Sequence, residues 1–145
     1  RLSANILHMD DLYRGWRGLL DAPQLLVDAL STGNYNPYHW ETARLGKPRS
    51  IAPGIPLIIE GCGSLTSHTL EASIQATGHT ERVRAIWVEC DDTTRRTRAL
   101  ARDGDIFRPH WDTWATQEET LYAREHPRDL AHMTINTSGT TNRVH

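Results

Sequence analysis

The stretch Pro56-Leu57-Ile58-Ile59-Glu60-Gly61 decides the fold. Its near-continuous run of large aliphatic side chains is typical of a strand that is covered on both faces within a parallel sheet. Similar short apolar runs occur at residues 4–8, 84–88 and 132–136, and longer polar stretches compatible with helices separate them. This alternation predicts an α/β fold, a parallel sheet with helices on both faces. The runs at 56–60 and 84–88 are the most apolar, so we expect them at the centre of the sheet.

Caps and helix-breaking residues predict where the helices begin and end. Asp91 supplies a helix N-cap, whereas Gly33 and Gly104 each follow a helical pattern and favour its end. The expected helices span about 22–30, the stretch from Asp91 to Arg102, and about 109–124. The segment 34–56 is rich in Pro, Gly and aromatic residues without sustained periodicity, so we expect an ordered loop or lid there.

Length and composition indicate a single domain of ordinary globular type. The chain has 145 residues with a net charge of −2, which provides no basic surface for nucleic acid. Its longest apolar run is far shorter than the roughly 20 residues of a membrane span, so we expect no membrane contact and a cytoplasmic location. We expect one domain over 1–137 and a frayed tail over 138–145. Cys62 and Cys90 have no CxxC spacing, which favours reduced thiols.

Carboxylates follow two of the predicted strands. Asp10 and Asp11 come directly after the run at 4–8, and Glu60 ends the run at 56–60. The carboxyl ends of parallel strands share one edge of a sheet, where ligands bind, so we expect these side chains to face one crevice. A carboxylate there can act as a general base or help to hold Mg²⁺. The alternative is a solvated turn or a helix cap.

Three arginines recur along one helix. Arg95, Arg98 and Arg102 are spaced i, i+3 and i+7, which places them on one helical face. Such a face repels itself unless anions neutralise it, and phosphoryl transfer uses arginines in this way. The alternative is a solvated basic stripe paired with nearby aspartates.

The aromatic residues divide into two groups. Trp111 and Trp114 have helical spacing, which favours core packing. Tyr35, Tyr38 and Trp40 lie in the long loop, where a surface that stacks on a ligand and simple packing are equally compatible with the pattern.

Together these motifs resemble the uridine-kinase and phosphoribulokinase-like group of P-loop NTPases, over roughly residues 4–137. Asp10-Asp11-Leu12-Tyr13 is similar to the D-x-[FL]-[YH] element of that group, and the run at 56–61 is similar to its E-G strand. The arginine spacing from Arg95 to Asp103 is similar to its lid helix. The resemblance implies ATP-dependent phosphorylation of a hydroxyl on a small molecule such as a nucleoside or sugar, with Mg²⁺.

The resemblance also implies roles for individual residues. Asp10 would be the catalytic base and Glu60 would lie near magnesium. The catalytic set implied is Asp10, Glu60, Arg98 and Arg102; the substrate-binding set is Asp11, Tyr13, Tyr38 and Arg44; the residues at the ATP phosphates are Arg95, Arg98 and Arg102.

One part of the family pattern is missing from these 145 residues. The sequence has no GxxxxGK[ST] phosphate-binding loop, and its single lysine is Lys47, in the long loop. In the family, the strand before that loop lies in the middle of the sheet, so its absence would leave unpaired inner edges. We therefore expect that an upstream segment completes the protein, or that the edge pairs with a partner or a second copy in a homo-oligomer.

Three hypotheses remain at this stage. The chain is a kinase once the loop is supplied, a degenerate kinase-like domain that binds a phosphorylated ligand or a protein partner without catalysis, or a structural domain whose basic helix and acidic strand ends pair with one another.

Overall fold

A computed structural model describes residues 3–139. It is a mixed α/β structure in which the four predicted strands and the three predicted helices occur in order. The helices at Ser67–Thr77 and Pro127–Leu130 and the four two-residue strands within 34–56 were not predicted. The strands are β1 (Asn5–His8), β2 (Asn34–Tyr35), β3 (Tyr38–His39), β4 (Arg44–Leu45), β5 (Arg49–Ser50), β6 (Leu57–Glu60), β7 (Ile86–Glu89) and β8 (Met133–Asn136). The α-helices are α1 (Ala22–Thr32), α2 (Ser67–Thr77), α3 (Asp92–Phe107), α4 (Trp111–Glu125) and α5 (Pro127–Leu130). Short 3₁₀ turns cover Met9–Asp11, Thr80–Arg82 and Arg108–His110.

The four longer strands form two separate parallel pairs. β1 pairs with β6, and β7 pairs with β8. Within residues 3–139 no ladder joins β6 to β7, although the sequence predicts both at the centre of one sheet. The strands themselves are confirmed, but each has one partner and one edge without a strand partner.

One face of the β1–β6 pair is packed and the other is open. On β1 and β6, Leu7 and Ile59 lie opposite each other and pack into the core, because alternate side chains point to opposite faces. Ile6 and Ile58, the neighbouring pair in the register, point to the other face, and each is 53% exposed.

The second pair of strands has the same open face. Ile86 and Val88 on β7 are 49% and 58% exposed, and they lie opposite Met133 and Ile135 on β8. Helices therefore cover one face of the β1–β6 pair, whereas on the second pair only Trp87 and Glu89 of β7 are partly buried and all four residues of β8 are exposed. The covering of both faces, expected from the aliphatic runs, is not found in the described part of the chain.

The core is a cluster that joins β1 to α1, the end of α3 and α4. Its members are buried and mainly large apolar side chains: Leu7, Met9, Leu12, Tyr13, Leu19, Ala22, Leu26, Phe107, Trp114 and Leu121. Helix α4 also contacts the second strand pair, because Tyr122 packs edge-on against Trp87 of β7 with ring centroids 5.1 Å apart. Helix α4 is thus common to both pairs.

The helix ends follow the local sequence signals. Asp91 caps α3 by accepting a hydrogen bond from the Thr94 backbone N–H at 2.8 Å. Gly104, with φ of 55°, kinks the same helix where its end is predicted. Gly33 ends α1 in the left-handed conformation, and Thr66 begins α2 with a reciprocal capping box to Thr69.

The segment 34–56 is ordered, as predicted, and is held by two short antiparallel pairs. β2 pairs with β5 and β3 pairs with β4. This arrangement brings the segment back towards the end of β1, where Trp40 contacts the backbone of Asp10.

No helix among residues 3–139 is long and apolar enough to cross a membrane. The predicted tail begins inside the described region, where Ser138 accepts a hydrogen bond from the Asp91 backbone N–H. Residues 140–145 of that tail lie outside it.

Gly61, directly after β6, should not tolerate a side chain. Its φ is +125°, and an added Cβ would lie 2.7 Å from Cβ of Met9. We predict that Gly61→Ala lowers the free energy of unfolding by about 2–4 kcal/mol, measured by urea denaturation.

Gly78→Ala is the matched control, because Gly78 also has a positive φ but nothing lies within 4 Å of its added Cβ. It should cost about 1–2 kcal/mol, the penalty of the left-handed backbone alone. Equal losses in the two variants would show that the contact with Met9 does not matter.

Candidate functional site

Three carboxylates gather at the carboxyl ends of β1 and β6. Strand β1 ends at His8 and continues into the 3₁₀ turn that carries Asp10 and Asp11. Strand β6 ends at Glu60, which lies opposite His8 in the register. The structure therefore brings together the residues that the sequence predicts at this edge.

His8 belongs to the same group, although the sequence pattern predicts no role for it. Its Nδ1 lies 2.5 Å from Oε1 of Glu60. The hydrogen bond to the Glu60 carboxylate raises the pKa of His8. The signal in the sequence was its position at the end of the run at 4–8, which a parallel register places beside the end of the next strand.

Asp10 lies in a partly desolvated, negatively charged environment. Its residue surface is exposed, but neighbouring groups remove water from the carboxyl group, and this desolvation raises its pKa. The charge of Glu60 raises the pKa further, whereas the charge of Arg102 lowers it. The backbone carbonyl of Asp10 also accepts a hydrogen bond from Nε1 of Trp40 at 3.0 Å. A carboxyl group with a raised pKa is a better proton acceptor near neutral pH than an ordinary aspartate.

Arg102 of α3 is the member of the predicted arginine set whose charge lowers the pKa of Asp10. Its guanidinium donates to both carboxyl oxygens of Asp103, and this hydrogen bonding is the main cause of its raised pKa. The charges of Asp10 and Glu60 raise the pKa of Arg102 as well. The electrostatic coupling between α3 and the two strand ends therefore runs through Arg102.

Arg95 and Arg98 are engaged with other parts of the protein. Arg98 donates to the backbone carbonyl of Thr137 at 3.1 Å, just after β8. Arg95 forms an ion pair with the buried carboxylate of Glu118 on α4. The three arginines do not share one partner, and the predicted role of Arg95 and Arg98 at the donor phosphates stays a prediction.

Glu118 has a second donor besides Arg95. The Cys62 thiol donates to Oε1 of Glu118 at 3.0 Å. Burial, followed by the negative charge of Glu118, raises the pKa of Cys62 to about 12, so the thiol keeps its proton and its hydrogen bond. This set links α3, α4 and the turn after β6.

Tyr13 is a core residue, which corrects its predicted contact with substrate. It is 2% exposed, and its hydroxyl donates to the backbone carbonyl of Cys62 at 2.7 Å. Its ring packs edge-on against Trp114 with centroids 4.7 Å apart. Burial raises the pKa of the Tyr13 hydroxyl, so it remains a hydrogen-bond donor. The aromatic residue of the motif thus fixes the turn that carries Asp10.

The other predicted substrate-binding residues lie on or near the segment 34–56. Asp11 accepts a hydrogen bond from Nη1 of Arg49 at 3.2 Å, an interaction that the sequence analysis missed. Tyr38 packs edge-on against Trp40 with centroids 5.6 Å apart, at a cleft of about 590 Å³ lined by residues 38–42. Arg44 is exposed on β4, opposite His39.

The two predicted core tryptophans differ in burial. Trp114 is buried, as predicted, at 9% exposure. Trp111 is half-buried, and the guanidinium groups of Arg95 and Arg96 lie 5.3 and 5.9 Å from its ring centroid.

The described residues contain no group of three or more His, Cys, Asp or Glu side chains arranged to hold a metal ion by themselves. Mg²⁺ in phosphoryl transfer is usually held by one or two carboxylates together with substrate phosphates and water. Glu60 and Asp10 provide oxygen donors of this kind at the strand ends, so the donor chemistry fits.

No protein-family model matches this chain, and no match was found among curated proteins or solved structures. The likeness to P-loop kinases therefore depends on the sequence motifs.

Loss of Arg95 should destabilise the protein by leaving the Glu118 carboxylate buried without its ionic partner. We predict that Arg95→Met lowers the free energy of unfolding by about 2–3 kcal/mol, and that Arg95→Met/Glu118→Leu recovers most of the loss. Urea denaturation measures both values.

Arg96→Met is the matched control, since Arg96 lies over the same Trp111 ring and has no carboxylate partner among residues 3–139. It should cost less than about 1 kcal/mol. A loss as large as that of Arg95→Met would mean that the aromatic contact, and not the buried carboxylate, is the source of stability.

Removal of the Arg102 charge should raise the pKa of Asp10 further, because that charge now favours the ionised carboxylate. We predict that Asp10 titrates above its ordinary value of 3.8, and that Arg102→Gln moves the midpoint to higher pH. A carbon-detected NMR titration of the Asp10 carboxyl measures both.

Arg96→Gln, on the same helix, should leave the Asp10 midpoint unchanged. An Asp10 midpoint that does not respond to Arg102→Gln would contradict the coupling between α3 and the strand ends.

Proposed function

We propose that this chain is the acceptor-binding and catalytic part of an ATP-dependent phosphotransferase that acts on a hydroxyl of a small molecule, such as a nucleoside or sugar. The proposal depends on a phosphate-binding loop supplied by a preceding segment. One observation carries it: Asp10 and Glu60 lie at the carboxyl ends of two paired parallel strands, where His8 bonds to Glu60. Open α/β sheets bind their ligands at this edge.

Asp10 would act as the general base. It accepts the proton of the acceptor hydroxyl while the hydroxyl oxygen forms a bond to the γ-phosphorus of ATP, and the bond between that phosphorus and the ADP oxygen breaks. The desolvation that raises the pKa of Asp10 supports this role, because it makes the carboxylate a stronger base. The hydrogen bond from Trp40 to the Asp10 backbone orients the turn.

Arg102 and Glu60 would help to neutralise the negative charge of the phosphates. Arg102, on α3, lies close enough for its charge to lower the pKa of Asp10, and its guanidinium would stabilise negative charge on the transferring group. Glu60, with Asp10, would hold Mg²⁺ or its water; the ion neutralises charge on the β- and γ-phosphates. His8 keeps the Glu60 carboxylate in place through its hydrogen bond.

The open edges and faces of the two strand pairs support the need for a further strand. A free strand edge with exposed Ile58 or Val88 beside it is a costly arrangement in water. An added strand between β6 and β7 would pair both edges, and its following loop would reach the end of the sheet where Asp10 and Glu60 lie.

The non-catalytic alternative has one observation in its favour. Arg95 and Arg98 are bound to protein groups, so fewer guanidiniums are directed at donor phosphates than the motif implies. A degenerate domain that binds a phosphorylated ligand would use Arg102 and the strand-end residues without phosphoryl transfer.

The test is an assay of the full-length gene product for Mg-ATP-dependent phosphorylation of a panel of nucleosides and sugars. We expect turnover with one class of acceptor, and a loss in kcat of about 10²–10⁴-fold in Asp10→Asn. Arg102→Gln should lower kcat by about 10²-fold or more.

Two exposed residues outside the site provide charge-matched controls, Asp21→Asn and Arg82→Gln. They should retain full turnover. Phosphorylation that is unaffected by Asp10→Asn would exclude Asp10 as the base, and ATP binding without transfer to any acceptor would favour the non-catalytic alternative.

A further inference from the structure

A second cleft lies beside the turn that carries the predicted base. It has a volume of about 400 Å³ and is lined by Arg14, Trp16, Arg17, His110 and Thr113. We propose that this cleft binds the anionic oxygens, phosphate or carboxylate, of a small-molecule ligand. If the proposed function holds, that ligand is the acceptor, which would then carry an acidic group as well as the hydroxyl that is phosphorylated.

The two arginines of the cleft have no bonding partner within residues 3–139. Neither the Arg14 nor the Arg17 guanidinium has a hydrogen bond or an ion pair with another described residue. Both are exposed. Most other arginines near the site are paired, such as Arg49 with Asp11 and Arg102 with Asp103. Two neighbouring guanidiniums without a carboxylate repel each other, and an anion bound between them removes that repulsion.

The backbone that carries the arginines is fixed by Gln117 of α4. Its Nε2 donates to the Trp16 carbonyl at 2.7 Å, and its Oε1 accepts from the Leu19 N–H at 3.2 Å. Leu19 is fully buried below this point. One side chain thus holds the backbone on both sides of Arg17, so the backbone position of Arg17 is set before any ligand arrives.

Glycines make the turn tight. Gly15 has a φ of +81°, and the Gly18 N–H donates to its carbonyl at 3.0 Å. An added Cβ on Gly18 would lie 2.3 Å from the backbone nitrogen of Arg14. This close approach brings the two arginines of the turn to the same cleft.

The aromatic wall of the cleft connects it to the predicted base. The imidazole of His110 is stacked on Trp16, with centroids 4.5 Å apart and planes 8° from parallel. Trp16 in turn packs edge-on against Trp40, whose indole donates to the carbonyl of Asp10. One ligand in the cleft would therefore have its acidic group at the arginines and its remaining part along the tryptophans towards Asp10.

The test measures anion binding without ATP and without turnover. Inorganic phosphate and benzoate are titrated separately into the isotopically labelled chain, and the indole N–H of Trp16 and the guanidinium N–H groups are followed by NMR. We expect saturable shifts at Trp16 and at Arg14 and Arg17 with at least one of the two probes. The stronger probe identifies phosphate or carboxylate as the preferred group.

Charge-matched variants distinguish specific anion binding in the cleft from non-specific attraction of anions to a positive surface. Arg14→Gln/Arg17→Gln should weaken binding at least tenfold. Arg82→Gln/Arg84→Gln removes the same charge from exposed positions outside the cleft and should leave the affinity unchanged. Unchanged amide spectra elsewhere would show that each variant is folded, as expected for exposed side chains.

Linear shifts without saturation, or equal weakening in both double variants, would overturn the proposal. The result is independent of the proposed function. If the protein phosphorylates uncharged acceptors but binds no anion in this cleft, this inference is wrong and the proposed function stands. If the cleft binds anions but the protein has no kinase activity, the proposed function is wrong and this inference stands.

Discussion

The carboxylate of Glu118 is the group on which the rest of the structure depends. It is 5% exposed in the middle of α4, and it is bound by Arg95 of α3 and by the thiol of Cys62 after β6. A buried carboxylate without such partners would be strongly destabilising, so its position requires all three segments to meet. This requirement matters because no ladder among the described residues joins the two strand pairs, and α4 takes over that connection.

The geometry of the site follows from the same contacts. Helix α3 is fixed near its start by Arg95 and further along by Arg98, which holds the backbone after β8 at Thr137. Arg102, one turn later, bonds to Asp103, and its charge lowers the pKa of Asp10. On the other side of the site, the buried hydroxyl of Tyr13 holds the turn after β6 against the turn that carries Asp10. Buried contacts therefore position exposed groups, which is how a rigid scaffold supports a reactive site.

The sequence was sufficient for features that depend on neighbouring residues. The cap at Asp91, the breaks at Gly33 and Gly104, and the carboxylates after two strands are local patterns, and the structure contains them. It was insufficient where a polar side chain finds a distant partner. Gln117 bonds to a turn about 100 residues away, and Glu118 to Cys62; in the sequence both resemble solvated helix positions. Tyr13 was misassigned because hydropathy does not show where a hydroxyl is bonded. The open faces were missed because an aliphatic run indicates what a strand could bury, and the part of the chain described contains nothing that covers them.

The central proposal is that these residues form the catalytic part of a kinase site and need a phosphate-binding loop to bind nucleotide. Calorimetric titration with Mg-ATP, performed on the 145-residue chain and on a version extended by a segment that contains a phosphate-binding loop, tests this most directly. The account predicts binding by the extended protein and none by the 145-residue chain. Equal binding by the two would show that the loop is not required, and binding by neither would contradict the kinase assignment.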